Sequence, residues 1–452
     1  MNIYVTLMLF IISILSSHRD YTHDPIYPYT HNFTGQNIKT GSIYDLLKTR
    51  SDISYFKCQD VESFEYEPFA IAQFPELEPN KGLFAETFVA IIPNGQVCSW
   101  HGWVKVDDVI LEESIIHLNS LTCQKETLVH YPFTNAKKIK GRVAVITMLF
   151  DTVFGHWIYN ILGRLALIES CGIEYDWLYV ACDKPYMKET LALWGVDLKK
   201  IITPFEKNLC IQADQLIFPS HIGNRTPQPH EHVVTWVPVN ELCKKWNTDP
   251  KLLHFSKKMN LYHPTTDVIP SWVPIENCFL RWTPLCNYFS KWVINYVRNR
   301  FLPAIDMTKY HFAKKIFISR KDANTRKMIN EDEIFALFKP FGFERYILTQ
   351  MTIAEQIALF HNADIIVSAI GSNLTHITFC KPHTAIIEIF QAFSDATFYY
   401  MSQNLNLDHY SIQTMKFQDA LGACDTIVPP DIIQNFINTN HDLFDTGRAC
   451  CN

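Results

Sequence analysis

Within residues 314–390, four short β-branched runs (316–319, 343–348, 364–368 and 385–389) alternate with three helix-like segments. Strands separated by helical crossovers have to lie parallel, so this stretch reads as a parallel α/β unit. Two of the helical segments open with a short polar residue three places before a glutamate, Asn330–Glu333 and Thr352–Glu355, which predicts capping boxes. The third follows Gly371-Ser372-Asn373, where the first backbone N–H groups of a helix would face an anion. Polar residues gather where the strands end: Ser319 with Arg320, Ser368, and Glu388. Ligands of open parallel sheets bind at that edge, so the pattern implies a nucleotide-type site.

The chain has 452 residues, which suits two α/β cores better than one, and 48% hydrophobic content can fill them. A formal charge of −6 leaves no basic footprint for nucleic acid. With 15 glycines and neither a Walker loop nor a GxGxxG fingerprint, a nucleotide would be held by a less stereotyped loop. The 13 cysteines include no CxxC pair, so zinc spacing is missing. Cys58, Cys98 and Cys123 share one N-terminal segment and would pair there in an oxidising compartment; scattered buried thiols are the other reading.

Residues 3–15 are apolar apart from Thr6 and Ser13. The run is short of the roughly 20 residues that span a bilayer. It suits a signal peptide or signal-anchor over residues 1–17, with no Lys or Arg before it, and an N-terminal strand of a cytoplasmic protein is the alternative. Membrane association or a secretory lumen follows from the first reading; the cytoplasmic face of a bacterial membrane is the other placement. Three glycosylation sequons begin at Asn32, Asn224 and Asn373, of which Asn373 is expected to be buried.

Residues 18–50 read as a linker, 51–302 as a first α/β domain with a β-rich start, 303–428 as a second, and 429–452 as a closing helix. Inside the first, a strand from Arg142 (RVAVITML) leads through the loop FDTVFG to the helix HWIYNILGRLALIES. Trp157, Ile161, Leu165 and Ile168 recur at helical spacing and define a buried face, while Arg164 would face a cleft or solvent. A strand at 177–181 and a helix at 185–194 follow, with Pro185 suited to a first helical turn. Residues 220–280 read as long loops. A helix at 283–301 leads to a hinge at Pro303.

Several linked motifs resemble glycosyltransferase family 61. FISRKDANTRKMINEDE, EQIALFHNADIIVSAIGSNLTH and IIEIF are similar to its core signature, and GHWIYNILGRLALIE is similar to its HW-rich segment. The resemblance implies a GT-B-like α/β fold, with two Rossmann-like domains facing a cleft. It also implies an inverting enzyme, a nucleotide-sugar donor (a UDP-sugar), and a glycan or glycoprotein hydroxyl as acceptor. It implies no cofactor and no obligatory metal, in agreement with the lack of an Asp-x-Asp motif. Ile370 stands where the family usually has His, and Asn373 where a second glycine is usual. Those departures keep a second reading open, a GT-B-like protein that binds nucleotide or glycan without transferring sugar.

Sugar transfer to a hydroxyl needs a stabilised leaving diphosphate, a grip on the donor, and a base for the acceptor proton. Arg320 at a strand end offers a planar fork for phosphate, and Arg326 follows in the same loop. Gly371 and Ser372 would present N–H groups, and His376 lies one turn further on, where a protonated ring would donate to phosphate. Glu388 would accept from a ribose hydroxyl. The alternatives are an ion-paired Arg320, an ordinary turn at Gly371, a core His376 and a salt-bridged Glu388. Lys321 and Lys327 belong to a solvated face. His156, opening its helix after a glycine loop, is the candidate base, with Asp151 next; a helix-cap His156 is the alternative. His230 and His232 have no third ligand in their loop, so no metal is assigned to them.

Overall fold

In the computed structural model the β-branched runs of the second half are parallel neighbours. Lys315–Ile318, Glu344–Tyr346, Ile365–Ala369 and Ala385–Phe390 join Asp408–Gln413 in a five-stranded sheet. Its order is 344–346, 315–318, 365–369, 385–390, 408–413, and every pairing is parallel. The structure describes residues 39–69, 80–99, 101–114, 136–148, 152–204, 210–222, 235–238, 261–262, 279–282, 289–323, 326–390, 396–414 and 425–445.

Alternation sorts this sheet's side chains between two layers. Phe317, Val367, Ile387 and Ile389 pack against Ile334 and Phe338 of helix Glu331–Phe338 and against Ile433 and Ile437 of the closing helix Pro430–Thr439. Ile316, Ile318, Ile366 and Ile386 face the other way, into a cluster that continues through the first half of the chain. Thr352 caps helix Ile353–Asn362 as expected: its hydroxyl accepts from Glu355 N, and Glu355 Oε2 accepts from Thr352 N at 2.7 Å. Asn330 does not close its box. Its amide bridges both backbone groups of Val428, at 2.8 and 2.9 Å, and its Nδ2 also donates to Glu333 Oε2 at 2.9 Å, so no side-chain bond caps a backbone N–H of the helix. The third helical segment is a 3-10 helix, Ser372–Phe379.

The first half builds a mixed sheet of ten strands among the described residues. Lys137–Val145 lies parallel between Cys210–Pro219 and Trp177–Tyr179, and the β-rich start adds Thr87–Pro93 and Gln96–Cys98 antiparallel to Cys210–Pro219. The expected HW helix is interrupted: Phe154–His156 leads into a π turn, Trp157–Ile161, before the α-helix Leu162–Ser170. Trp157, Ile161, Leu165 and Ile168 are fully buried, and helix Pro185–Trp194 starts on Pro185. Arg164 faces neither a cleft nor solvent. It is buried over the Phe218 ring, donating to Thr147 O at 2.8 Å and twice to Pro219 O, and burial lowers its pKa to about 9.

Three other expectations need correction. Residues 220–280 are not wholly loop, because Thr235–Pro238, Leu261–Tyr262 and Phe279–Trp282 pair as an antiparallel sheet. The helix placed at 283–301 begins at Lys291, where Ser290 accepts from Val293 N. Cys98 bonds to Cys210 rather than within its own segment, since the two strands set them directly opposite with Cα atoms 4.2 Å apart. Cys58 faces Cys171, and Cys123 lies outside the described residues. So do residues 1–38. No helix among the described residues is long and apolar enough to cross a membrane.

The two sheets share one apolar core. Leu165, Val293, Val297, Ile318, Ile357, Leu374 and Phe379 belong to a single cluster, and Arg298 of helix Lys291–Phe301 donates to Thr378 O and Cys380 O at 2.6 Å. Arg164→Ala removes a buried guanidinium that satisfies two carbonyls and leaves a cavity. It should cost about 3–5 kcal/mol of stability, read by urea unfolding, and Arg164→Lys should recover little of it because an ammonium cannot span both acceptors.

Candidate active site

At the carboxyl end of strand Lys315–Ile318 the chain turns over a buried carboxylate. Glu331 accepts from Ser319 Oγ at 2.5 Å and from Arg320 N at 2.8 Å. Nothing in the acidic run Glu331-Asp332-Glu333 singles out the buried member. Asp332 stays at the surface with Lys321 and Arg345, while Glu331 turns inward and fixes where Arg320 leaves the strand. The placement of Lys321 on a solvated face is correct.

Arg320 is 6% exposed, and its Nε donates to Arg326 O at 3.3 Å. Arg326 takes a left-handed φ of 58°, uncommon for a residue with a side chain, and this turn returns its carbonyl to Arg320. The guanidinium then lies on Gly371. A Cβ there would sit 1.9 Å from Arg320 Nη1 and 2.8 Å from Cζ, so any side chain would push the guanidinium away. Backbone conformation is not the reason, because φ is 160°. Burial, and then the charge of Arg326, lower the Arg320 pKa to about 10, so it stays cationic at neutral pH. A fixed cation thus meets the start of helix Ser372–Phe379, whose first N–H groups have no acceptor within the helix. Ser372 and Asn373 are half-buried, so Asn373 is more accessible than expected.

His376 belongs to the core. It is 2% exposed, stacks on Phe154 at 4.7 Å and lies 5.1 Å from the Phe360 ring. Its Nδ1 donates to Asn373 O at 3.1 Å, and burial lowers its pKa to about 4. A neutral ring cannot be the protonated phosphate donor expected from the sequence; it closes the helical turn instead. Glu388 lies two residues short of its strand's end, on an interior strand, and is fully buried. Its Oε2 is 3.2 Å from His409 Nε2, and His409 Nδ1 is 2.8 Å from Ser402 Oγ. Burial keeps His409 neutral, with a pKa of about 3. With the ring neutral, the Ser402 hydroxyl bonds to Nδ1 and Nε2 lies beside the Glu388 carboxylate. The open strand-end position expected for Glu388 is therefore replaced by a buried position beside a neutral histidine.

His156 is half-buried. Its Nδ1 lies 3.0 Å from Asn160 Oδ1, while Asn160 Nδ2 donates to Ile222 O at 2.8 Å. That second bond orients the amide, so Oδ1 faces the ring, Nδ1 carries the proton and Nε2 carries the lone pair. Burial lowers the His156 pKa, which favours the neutral ring. Asn160 was not recognised from the sequence, although its position one helical turn after His156 allows the contact. Asp151, His230 and His232 lie outside the described residues.

The loop carrying His156 rests on the helix that begins at Gly371. Phe154 stacks on His376, a Cβ at Gly155 would lie 3.2 Å from Thr375 Oγ1, and Tyr159 OH hydrogen bonds with Thr378 Oγ1. Two motifs roughly 200 residues apart in the chain meet at one short helix. Residues 261–387 match the family model described as Glycosyltransferase 61. Over this stretch the chain is similar to family 61 glycosyltransferases. The matched residues include Arg320, Arg326, Gly371, Ser372 and His376, whereas His156 and Glu388 lie outside them. Among curated proteins there is no match.

Burial lowers the His376 pKa in the fold to about 4, against 6.5 for an ordinary ring. The unfolded chain binds the extra proton between those values, so the stability present above pH 6.5 is lost as pH falls toward 4. One such group gives a slope of at most about 1.4 kcal/mol per pH unit. His376→Phe should flatten the acid limb of a stability–pH curve measured by urea unfolding, leaving the part due to His409.

Proposed function

We propose that the protein is an inverting glycosyltransferase that moves a sugar from a nucleotide-sugar donor, a UDP-sugar, to a hydroxyl of a glycan or glycoprotein. In this reading residues 303–428 form the donor-side unit and 51–302 the acceptor-side unit of a GT-B arrangement. Residues 1–17 bring the chain to a membrane or secretory lumen, and no metal is obligatory. The supporting observation is the contact of Arg320 with Gly371 at one end of a helix whose side carries the His156 loop.

In an inverting transfer the acceptor oxygen attacks the anomeric carbon from the face opposite the departing diphosphate. The cation of Arg320 and the N–H groups at Ser372 offset the charge that develops on the leaving group. Arg326 orients Arg320 through its carbonyl and adds positive potential. His156 Nε2 takes the acceptor proton, with Asn160 holding the tautomer. Asp151 is the competing base. His376 supports the helix by packing, and Glu388 lies buried beside His409 rather than at a ribose contact. Purified protein assayed against a set of nucleotide sugars and acceptors tests the reading; nucleotide binding with no product over a broad acceptor panel would leave a binding protein in its place.

Arg320→Ala should weaken nucleotide binding by about 1.5–3 kcal/mol, the worth of a hydrogen bond to a charged group. Gly371→Ala should weaken it too, because its methyl displaces the guanidinium; titration calorimetry on both folded variants reads the effect. His156→Ala should lower kcat by about two to four powers of ten with nucleotide affinity nearly unchanged. The rate should also fall as pH drops through a value below the ordinary 6.5, since burial lowers the pKa and a protonated ring accepts nothing. Loss of turnover in Asp151→Asn with an active His156→Ala would move the base to the carboxylate.

A further inference from the structure

Cys58 and Cys171 are 113 positions apart in the chain, yet their Sγ atoms approach to 2.7 Å. That is about 0.7 Å more than the ~2.05 Å of a disulfide. Cys58 sits where the register of edge strand Ser54–Gln59 slips against Thr87–Pro93: Lys57 pairs with Phe88 and Gln59 with Thr87, so Cys58 has no partner across the ladder. A bulge of this kind re-aims a side chain. Here it turns the thiol off the sheet and toward Leu167 O, 3.9 Å away, at the end of helix Leu162–Ser170. Cys171 is the C-cap of that helix. Both cysteines are half-buried and pack against the core shared by the two sheets. Cys98–Cys210 already joins two strands of the same sheet, so the conditions that oxidise one pair are present for the other.

We propose that Cys58 and Cys171 form a second disulfide, tying the edge strand to the far end of the helical segment that carries His156. Each thiol gives up a proton, a sulfur–sulfur bond forms, and the two electrons reduce the disulfide of oxidised glutathione or of a thiol–disulfide oxidoreductase to two thiols. Exchange takes place while the segment is still accessible during folding, because burial raises the Cys58 pKa in the finished fold. The bond closes a long loop in the unfolded chain and so restricts it. It also places this part of the protein in an oxidising compartment.

The test uses the full chain produced in an oxidising lumen. The protein is denatured in the presence of an alkylating maleimide, digested without reduction and mapped by mass spectrometry. The expected result is one linked peptide pair joining Cys58 to Cys171, lighter by two hydrogens than the separate thiol peptides, with Cys182 and Cys380 carrying the maleimide. Maleimide on both Cys58 and Cys171, or either one joined to a different cysteine, overturns the proposal. A second reading compares melting temperatures with and without reductant. The drop should be larger in the native chain than in the Cys58→Ser, Cys171→Ser double variant; equal drops overturn the assignment even where the map is incomplete.

Discussion

Burying a guanidinium against bare backbone is the constraint around which the candidate site is organised. Arg320 can lie on Gly371 only because no Cβ occupies the space, and it stays there because Arg326 O holds its Nε and Glu331 holds its backbone. Each of these groups alone is ordinary. Together they hold a positive charge at the mouth of a short helix, and a fixed charge acts on a developing anion without reorganisation at the moment of reaction.

The short helix is also the joint of the molecule. Its polar backbone is tied to the first half of the chain by Arg298, Tyr159 carries a hydroxyl to Thr378, and the His376 ring is sandwiched with Phe154. Burial therefore decides the chemistry of the histidines individually. His376 and His409 are held neutral deep in the fold, with pKa values of about 4 and 3, where they serve packing and hydrogen bonding. His156 is closer to the surface and has its tautomer set by Asn160, which suits it to accept a proton.

Local patterns were legible where one segment decides its own structure. The parallel unit, the Thr352 capping box and the Pro185 helix all rest on neighbours in sequence, and all three formed as read. Asn330 misled because its spacing to Glu333 satisfies the cap pattern while Val428, almost a hundred residues on, offers its amide two backbone bonds. The cysteines misled for the same reason: sequence proximity favoured one segment, and strand order set Cys98 opposite Cys210.

The order of elements in the parallel unit, the apolar faces, and the candidacy of Arg320, Gly371 and His156 follow from the sequence by itself, because periodicity and turn chemistry act over a few residues. Only the tertiary structure decided that Glu331 faces inward while Asp332 does not, that Arg164 is a core brace, and that His376 is neutral. Desolvation and long-range hydrogen bonding depend on what surrounds a group from all sides, and that surrounding is supplied by residues far away in the chain.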